Sequence, residues 1–302
     1  MRKIVFYPLF FALSLFSLEE EGFIWEEGSV IECNDALQEA MREGNWWAVI
    51  DYAEIISDQF PQSPFAGDMA FLIGEAYYKL GQLELANARF TSYLNHSTSP
   101  KHFEETIHYK FNVAEQFRNG AKKPLFGSRK LPKIVSGEDD ALAIYDEVIT
   151  GLPHDEIAAR AMLGKAELQL RVEDFKPSLE TLDLLIRRFP KHELAAQGYL
   201  EKSRVYLKQC QEKCLDPALL DLAEVNLRKF KIAFPRESRI CEAEKDFAEM
   251  QEIFAENLME TGRFFQKTKK VAASLIYYSK VLSHYPTTKA ASEAKEKLEN
   301  LQ

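Results

Sequence analysis

The chain has 302 residues, 46% of them apolar and 28% charged, which supplies a buried core and leaves room for one large domain or two. Its 38 lysines and arginines face 47 aspartates and glutamates, a formal charge of −9 that argues against general nucleic-acid binding, where phosphates ask for a basic face. Glycine (13) and proline (12) are sparse beside Ala, Leu, Glu and Lys, so the pool favours helices.

In chain order, the first feature is a basic tip, Met1-Arg2-Lys3, followed by the uncharged run IVFYPLFFALSLFS from Ile4 to Ser17 and then Glu19-Glu20-Glu21. That order predicts a secretory signal peptide over residues 1–18. The run of 14 residues is shorter than the about 20 a bilayer-spanning helix needs, and it contains Pro8. Export is the expectation. No cysteine directly follows the apolar run, and Cys33 lies too far downstream to be a lipidated terminus.

Repeats come next. In GEAYYKLGQLELANARF (74–90), Gly81 reads as the turn between two helices. Ala70, Ile73, Gly74 and Tyr77 then share a face of the first helix, and Leu83, Ala86, Phe90 and Tyr93 share a face of the second. These intervals are those of a tetratricopeptide repeat, in which small residues let paired helices approach and aromatics fill the gap. The same pattern recurs, closed by Phe60-Pro61, Leu152-Pro153, Phe189-Pro190, Phe234-Pro235 and Tyr285-Pro286, because proline cannot continue the hydrogen-bond ladder. Gaps of 37, 45 and 51 residues between Pro153, Pro190, Pro235 and Pro286 mean that a unit of about 34 residues carries insertions. No stretch alternates strongly enough to predict a strand. The expected fold is all-α: a right-handed superhelical solenoid of tetratricopeptide-type helix pairs, one unit over 24–302, with about five to six repeats and a charged capping helix at 287–302.

Such solenoids bind along the groove lined by their first helices. On the second repeat Phe71, Glu75, Tyr78 and Lys79 are expected to face it, although the rings of Phe71 and Tyr78 equally suit packing on the neighbouring repeat. Residues 116–137, QFRNGAKKPLFGSRKLPKIVSG, carry Arg118, Lys122, Lys123, Arg129, Lys130 and Lys133 with no acid before Glu138, and their glycines and prolines predict a basic loop. Lys122, Lys123, Phe126, Arg129 and Lys130 are its candidate partner contacts, against the alternative of a solvated insertion. Cys33, Cys210, Cys214 and Cys241 permit disulfides but read more simply as buried or free thiols, and no metal site is expected. The six histidines stand at loops and helix ends without zinc-ligand spacing. With no nucleophile elbow and no phosphate-binding glycine loop, neither catalysis nor a cofactor is expected.

The stretch GNWWAVIDYAEIISDQFPQSPFAGDMAFLIGEAYYKLGQLELANARFTSYL (44–94) resembles the opening of BamD-type (ComL-like) outer-membrane β-barrel assembly lipoproteins, through its GNW turn, its FP-x-SP closure and its AYYKLG helix. LFGSRKL (125–131) is similar to a family loop, and the closing AENLMETGRFFQKTKKVAASLIYYSKVLSHYPTTKAA resembles the family's last repeat, so the likeness spans most of 36–295. It implies a non-enzymatic, periplasmic scaffold associated with the outer membrane. Its implied partners are proteins of the assembly complex and unfolded outer-membrane protein substrates, with membrane association through those partners. The missing lipidation cysteine and the insertion around QCQEKCLDP (209–217) depart from the family. A periplasmic adaptor for another envelope process, such as division or secretion, is the alternative.

Overall fold

The computed structural model describes residues 30–96, 100–125, 131–212 and 216–301; the signal-peptide expectation over 1–18 lies outside them. The elements are α1 (Val30–Glu43), α2 (Trp46–Gln59), α3 (Ala66–Lys79), α4 (Leu83–His96), α5 (Phe103–Arg118), β1 (Lys122–Pro124) and β2 (Lys133–Ser136). There follow α6 (Glu138–Gly151), α7 (Glu156–Arg171), α8 (Phe175–Arg188), α9 (Glu193–Glu212), α10 (Pro217–Ala233), α11 (Ile240–Lys267), α12 (Val271–His284) and α13 (Lys289–Leu301). Consecutive helices pack antiparallel, and the odd-numbered ones from α3 also touch the next odd-numbered one, which makes an all-α tetratricopeptide solenoid.

Five turns that close first helices share one chemistry. At Gly44, Gly81, Gly120, Glu173 and Lys269 the backbone φ is positive, between 59° and 94°. Each of these residues donates its N–H three residues back, and the next residue donates five back, as in Gly81 to Tyr78 (2.9 Å) and Gln82 to Tyr77 (2.8 Å). That is the Schellman motif, which satisfies the orphan carbonyls of the helix end. Three of these positions carry glycine, for which the left-handed region costs little, whereas Glu173 and Lys269 occupy it against their Cβ.

The proline closures are equally uniform. Phe60, Leu152, Phe189, Phe234 and Tyr285 all end their helices at φ −123° to −134° and ψ 51° to 67°, each N–H bonded to the carbonyl four residues back. The following proline pushes its predecessor out of the helical region, so the second helix stops at a set place.

Inside the pairs, most of the residues the repeat pattern points inward are buried, while Ala70 and Phe265 are half-buried. Ile73, Tyr77, Ala86, Phe90, Tyr145, Val148, Met162, Ala166, Leu182, Leu185, Phe230 and Tyr278 all belong to the core. A Cβ on Gly74 would lie 2.7 Å from the Phe90 ring and one on Gly262 2.5 Å from Tyr278, so glycine there makes room for an aromatic from the paired helix. One core cluster spans α1 to α4 and a second is centred on α5 to α8; the two share Tyr78 and Leu94 at their border. Smaller clusters join α9 to α10 and α11, and α11 to α12 and α13.

Two sequence expectations change. Residues 116–137 are not simply a loop: α5 runs to Arg118, and Lys122–Pro124 pairs antiparallel with Lys133–Ser136. Short, irregular strands with a register shift at Lys123/Pro124 carry too few residues to show period-two alternation in the sequence. The long gaps between closures come largely from longer helices. α9 has 20 residues, α10 has 17 and α11 has 28, so α11 serves two repeats, meeting α9 and α10 with its first half and α12 and α13 with its second.

Candidate partner-binding surface

The first helices carry the candidate surface. Phe71 is buried, at 3% exposure, and stacks on His102 with ring centroids 4.4 Å apart and 5° between planes. It does not face a groove. Its neighbours Tyr93 (5.7 Å) and Tyr109 (6.1 Å) complete an aromatic cluster between the second and third repeats, because α3 packs directly on α5 there. Glu75 accepts a 2.8 Å hydrogen bond from the Tyr109 hydroxyl, and Tyr78 meets the same ring edge-on at 5.2 Å. Burial, then the Glu75 contact, pushes the Tyr109 phenol above its ordinary range. Three of the four predicted residues therefore converge on Tyr109. Lys79 is exposed, with its ammonium 5.9 Å from the centre of the Trp46 ring.

The basic segment is also drawn inward. Lys123 pairs with Asp140 at 2.5 Å, which holds its ammonium above the usual lysine range. Lys133 donates to the Gly81 carbonyl at 2.7 Å, tying the hairpin to the α3–α4 turn. Lys122 is exposed. Phe126, Arg129 and Lys130 lie outside the described residues.

A groove that repeat-position reasoning did not single out runs between α7 and α9. It encloses about 460 Å³ and is lined by Leu170, Arg171, Glu173, Arg204, Leu207 and Lys208, with Gln211 at one end. Two leucines among three cations and one acid suit an extended segment bearing apolar and acidic side chains. Its cations are held in place by their neighbours. Arg204 bridges Glu201 (2.7 Å) and Glu242 (3.1 Å), Arg171 donates to the Arg118 carbonyl (2.6 Å), and Lys208 pairs with Glu212 (2.5 Å). Glu201 is 5% exposed, and burial raises its carboxyl above the usual range although Arg204 opposes this. Leu170 and Arg171 on α7, and Arg204, Leu207 and Lys208 on α9, stand at the repeat positions that Glu75, Tyr78 and Lys79 hold on α3, so the pattern was present in the sequence. The contact between first helices that exposes it was not.

Among the described residues no three His, Cys, Asp or Glu side chains stand close enough to hold a metal ion. Cys33 and Cys210 are buried free thiols that burial pushes upward, to about 11 for Cys210, and Cys241 is an exposed free thiol; Cys214 lies outside the described residues.

The helices that build this groove decide the family. The outer membrane lipoprotein family YfiO matches residues 139–301, more than half of the chain and all of it from α6 to α13. The chain belongs to the YfiO family. The YfiO match begins just after the hairpin, so the stretch 44–94 that resembles BamD-type openings lies outside it. No curated protein matches the chain. Among solved structures it is similar to a tetratricopeptide repeat protein from Parabacteroides merdae, at 15% identity over 91% of this chain and 99% of that one, with a TM-score of 0.38. MamA from Desulfovibrio magneticus is 14% identical over 72% of this chain and 96% of its own, at 0.37, and PilW, a type IV pilus biogenesis factor, is 13% identical over 89% and 99%, at 0.31. These superpositions are loose, and the fold stands on the shared turns and closures of the chain itself. Membership of YfiO associates the protein with the outer membrane and gives the groove its setting.

Proposed function

We propose that this YfiO-family chain is an exported, periplasmic and non-enzymatic scaffold for the assembly of outer-membrane β-barrel proteins. The observation that carries the reading is that the family match covers the helices forming the α7–α9 groove. In this reading, the groove takes an extended segment of a partner or of an unfolded barrel substrate, its apolar side chains meeting Leu170 and Leu207 and its acids meeting Arg171, Arg204 and Lys208. Glu75, Tyr78, Lys79 and Lys122, with Phe126, Arg129 and Lys130, provide further contacts, and residues 1–18 act as the export signal.

The test is an affinity pull-down of the chain from cross-linked cells, with captured proteins identified by mass spectrometry. Recovery of an outer-membrane assembly barrel is expected, and recovery reduced at least tenfold by Arg171→Glu with Lys208→Glu. Recovery of division or secretion components in its place overturns the assembly reading. For the hairpin, reversal of Lys122, Arg129 and Lys130 leaves the structural pairs of Lys123 and Lys133 intact, so unchanged capture by that variant removes the hairpin from the binding surface.

A further inference from the structure

The turn between α11 and α12 differs from the rest of the surface. Phe264 is 60% exposed there and Val271 is 42% exposed, while Phe264 stands edge-on to Phe265, and Phe265 stacks on Tyr277 at 5.4 Å. Around these rings lie Lys267, Lys269, Lys270 and Lys280, all exposed. Lys270 sits 5.9 Å from the centre of the Phe265 ring and Lys280 sits 5.3 Å from that of Tyr277. Among the described residues none of the four pairs with a carboxylate; single unpaired lysines such as Lys79, Lys122, Lys229 and Lys245 occur elsewhere, but here four stand beside exposed rings in a chain of net charge −9. The negative end of the α11 dipole accounts for a cation such as Lys267, but not for Lys270, which caps the positive end of α12.

We propose that this turn docks on an anionic phospholipid surface, with Phe264 and Val271 entering the headgroup region and Lys267, Lys269, Lys270 and Lys280 meeting its phosphates. Exposed aromatic and apolar side chains within a ring of lysines form an interfacial arrangement. Protein interfaces are enriched in arginine and depleted in lysine, and the nearby Arg263 is committed to Glu256 and Glu293. A second copy of the chain would set four lysines against four. The inference rests on the envelope setting of the proposed function for its choice of membrane, but its test requires no assembly partner.

The experiment is flotation of the full chain with vesicles of phosphatidylcholine alone and with vesicles containing phosphatidylglycerol. The apolar run at 4–17 can partition into either, so the quantity that decides is the increment due to the anionic lipid. A clear increment that falls as salt rises is expected. Neutralising Lys267, Lys270 and Lys280 to Gln is expected to weaken it about a hundredfold, at about fivefold for each lysine, with an unchanged melting curve. Phe264→Ser is expected to weaken it severalfold, again without loss of fold because the ring is exposed. Equal flotation on both vesicles, an increment that the triple variant leaves unchanged, or binding of the turn to an acidic polypeptide in place of vesicles would each overturn the proposal.

Discussion

Glu173 and Lys269 stand where the turn chemistry calls for glycine. Their left-handed backbones cost each of them about 1 kcal/mol that Gly44, Gly81 and Gly120 avoid. Glu173→Gly and Lys269→Gly are expected to raise stability by up to about 1 kcal/mol each, and Gly81→Ala to lower it by about 1–2 kcal/mol, read from urea unfolding. A second residue-scale outcome concerns acid. Hydrogen bonds from Arg239 hold the Glu237 carboxyl down at about 2. A depressed carboxylate stabilises above its unfolded pKa and loses that contribution as pH falls through the folded value. The acid limb of the stability curve is therefore expected to be shallower in Glu237→Gln, by less than about 1 kcal/mol because the pair is near the surface.

At the scale of elements, one buried lysine joins three helices. Lys110 of α5 is fully buried and donates to Asn87 (2.8 Å) and Thr91 (2.6 Å) of α4 while pairing with Glu147 (2.7 Å) of α6. Its three donors meet three acceptors, which makes burial tolerable. Lys110→Met leaves the two α4 acceptors without their donor and is expected to cost about 1–3 kcal/mol. Burial also lowers the Lys110 pKa, so the folded state binds fewer protons than the unfolded one. Stability should then rise with pH from the lowered value up to the ordinary lysine value of 10.5, and Lys110→Met should lack that rise when unfolding is followed across the alkaline range. The hairpin offers a contrast between neighbours: Lys133→Glu removes the clasp on the Gly81 carbonyl and should lower the melting temperature, while Lys122→Glu should not.

The whole molecule is a row of neighbours, and its stability follows the seams between them. The thinnest packing between consecutive helices lies between α4 and α5, where two core clusters meet mainly through Tyr78, Leu83, Leu94, the Tyr109 ring and Lys110. Hydrogen exchange is expected to show α1 to α4 opening as a unit before α7 to α9. Tyr109→Ala should speed exchange in α1 to α4 and leave α7 to α9 unchanged; acceleration spread evenly over the chain would mean that the seam is as strong as any other.

The sequence by itself determined the repeated helix pairs, their glycine turns at Gly44 and Gly81, and their stops before proline. Those features are local: a glycine in a Schellman turn, a proline after an aromatic, a small residue opposite Phe90 or Tyr278. It also placed the inward residues, because the repeat intervals map directly onto helix faces. Only the tertiary structure decided which outward residues remain outward. Phe71 has the position of a groove residue and is buried, because α5 brings His102 and Tyr109 against it, and Lys133 has the look of a free cation and holds a carbonyl 52 residues away. Exposure at a repeat surface depends on how the next repeat is placed, and that placement is set by contacts distant in sequence, so no single repeat encodes it.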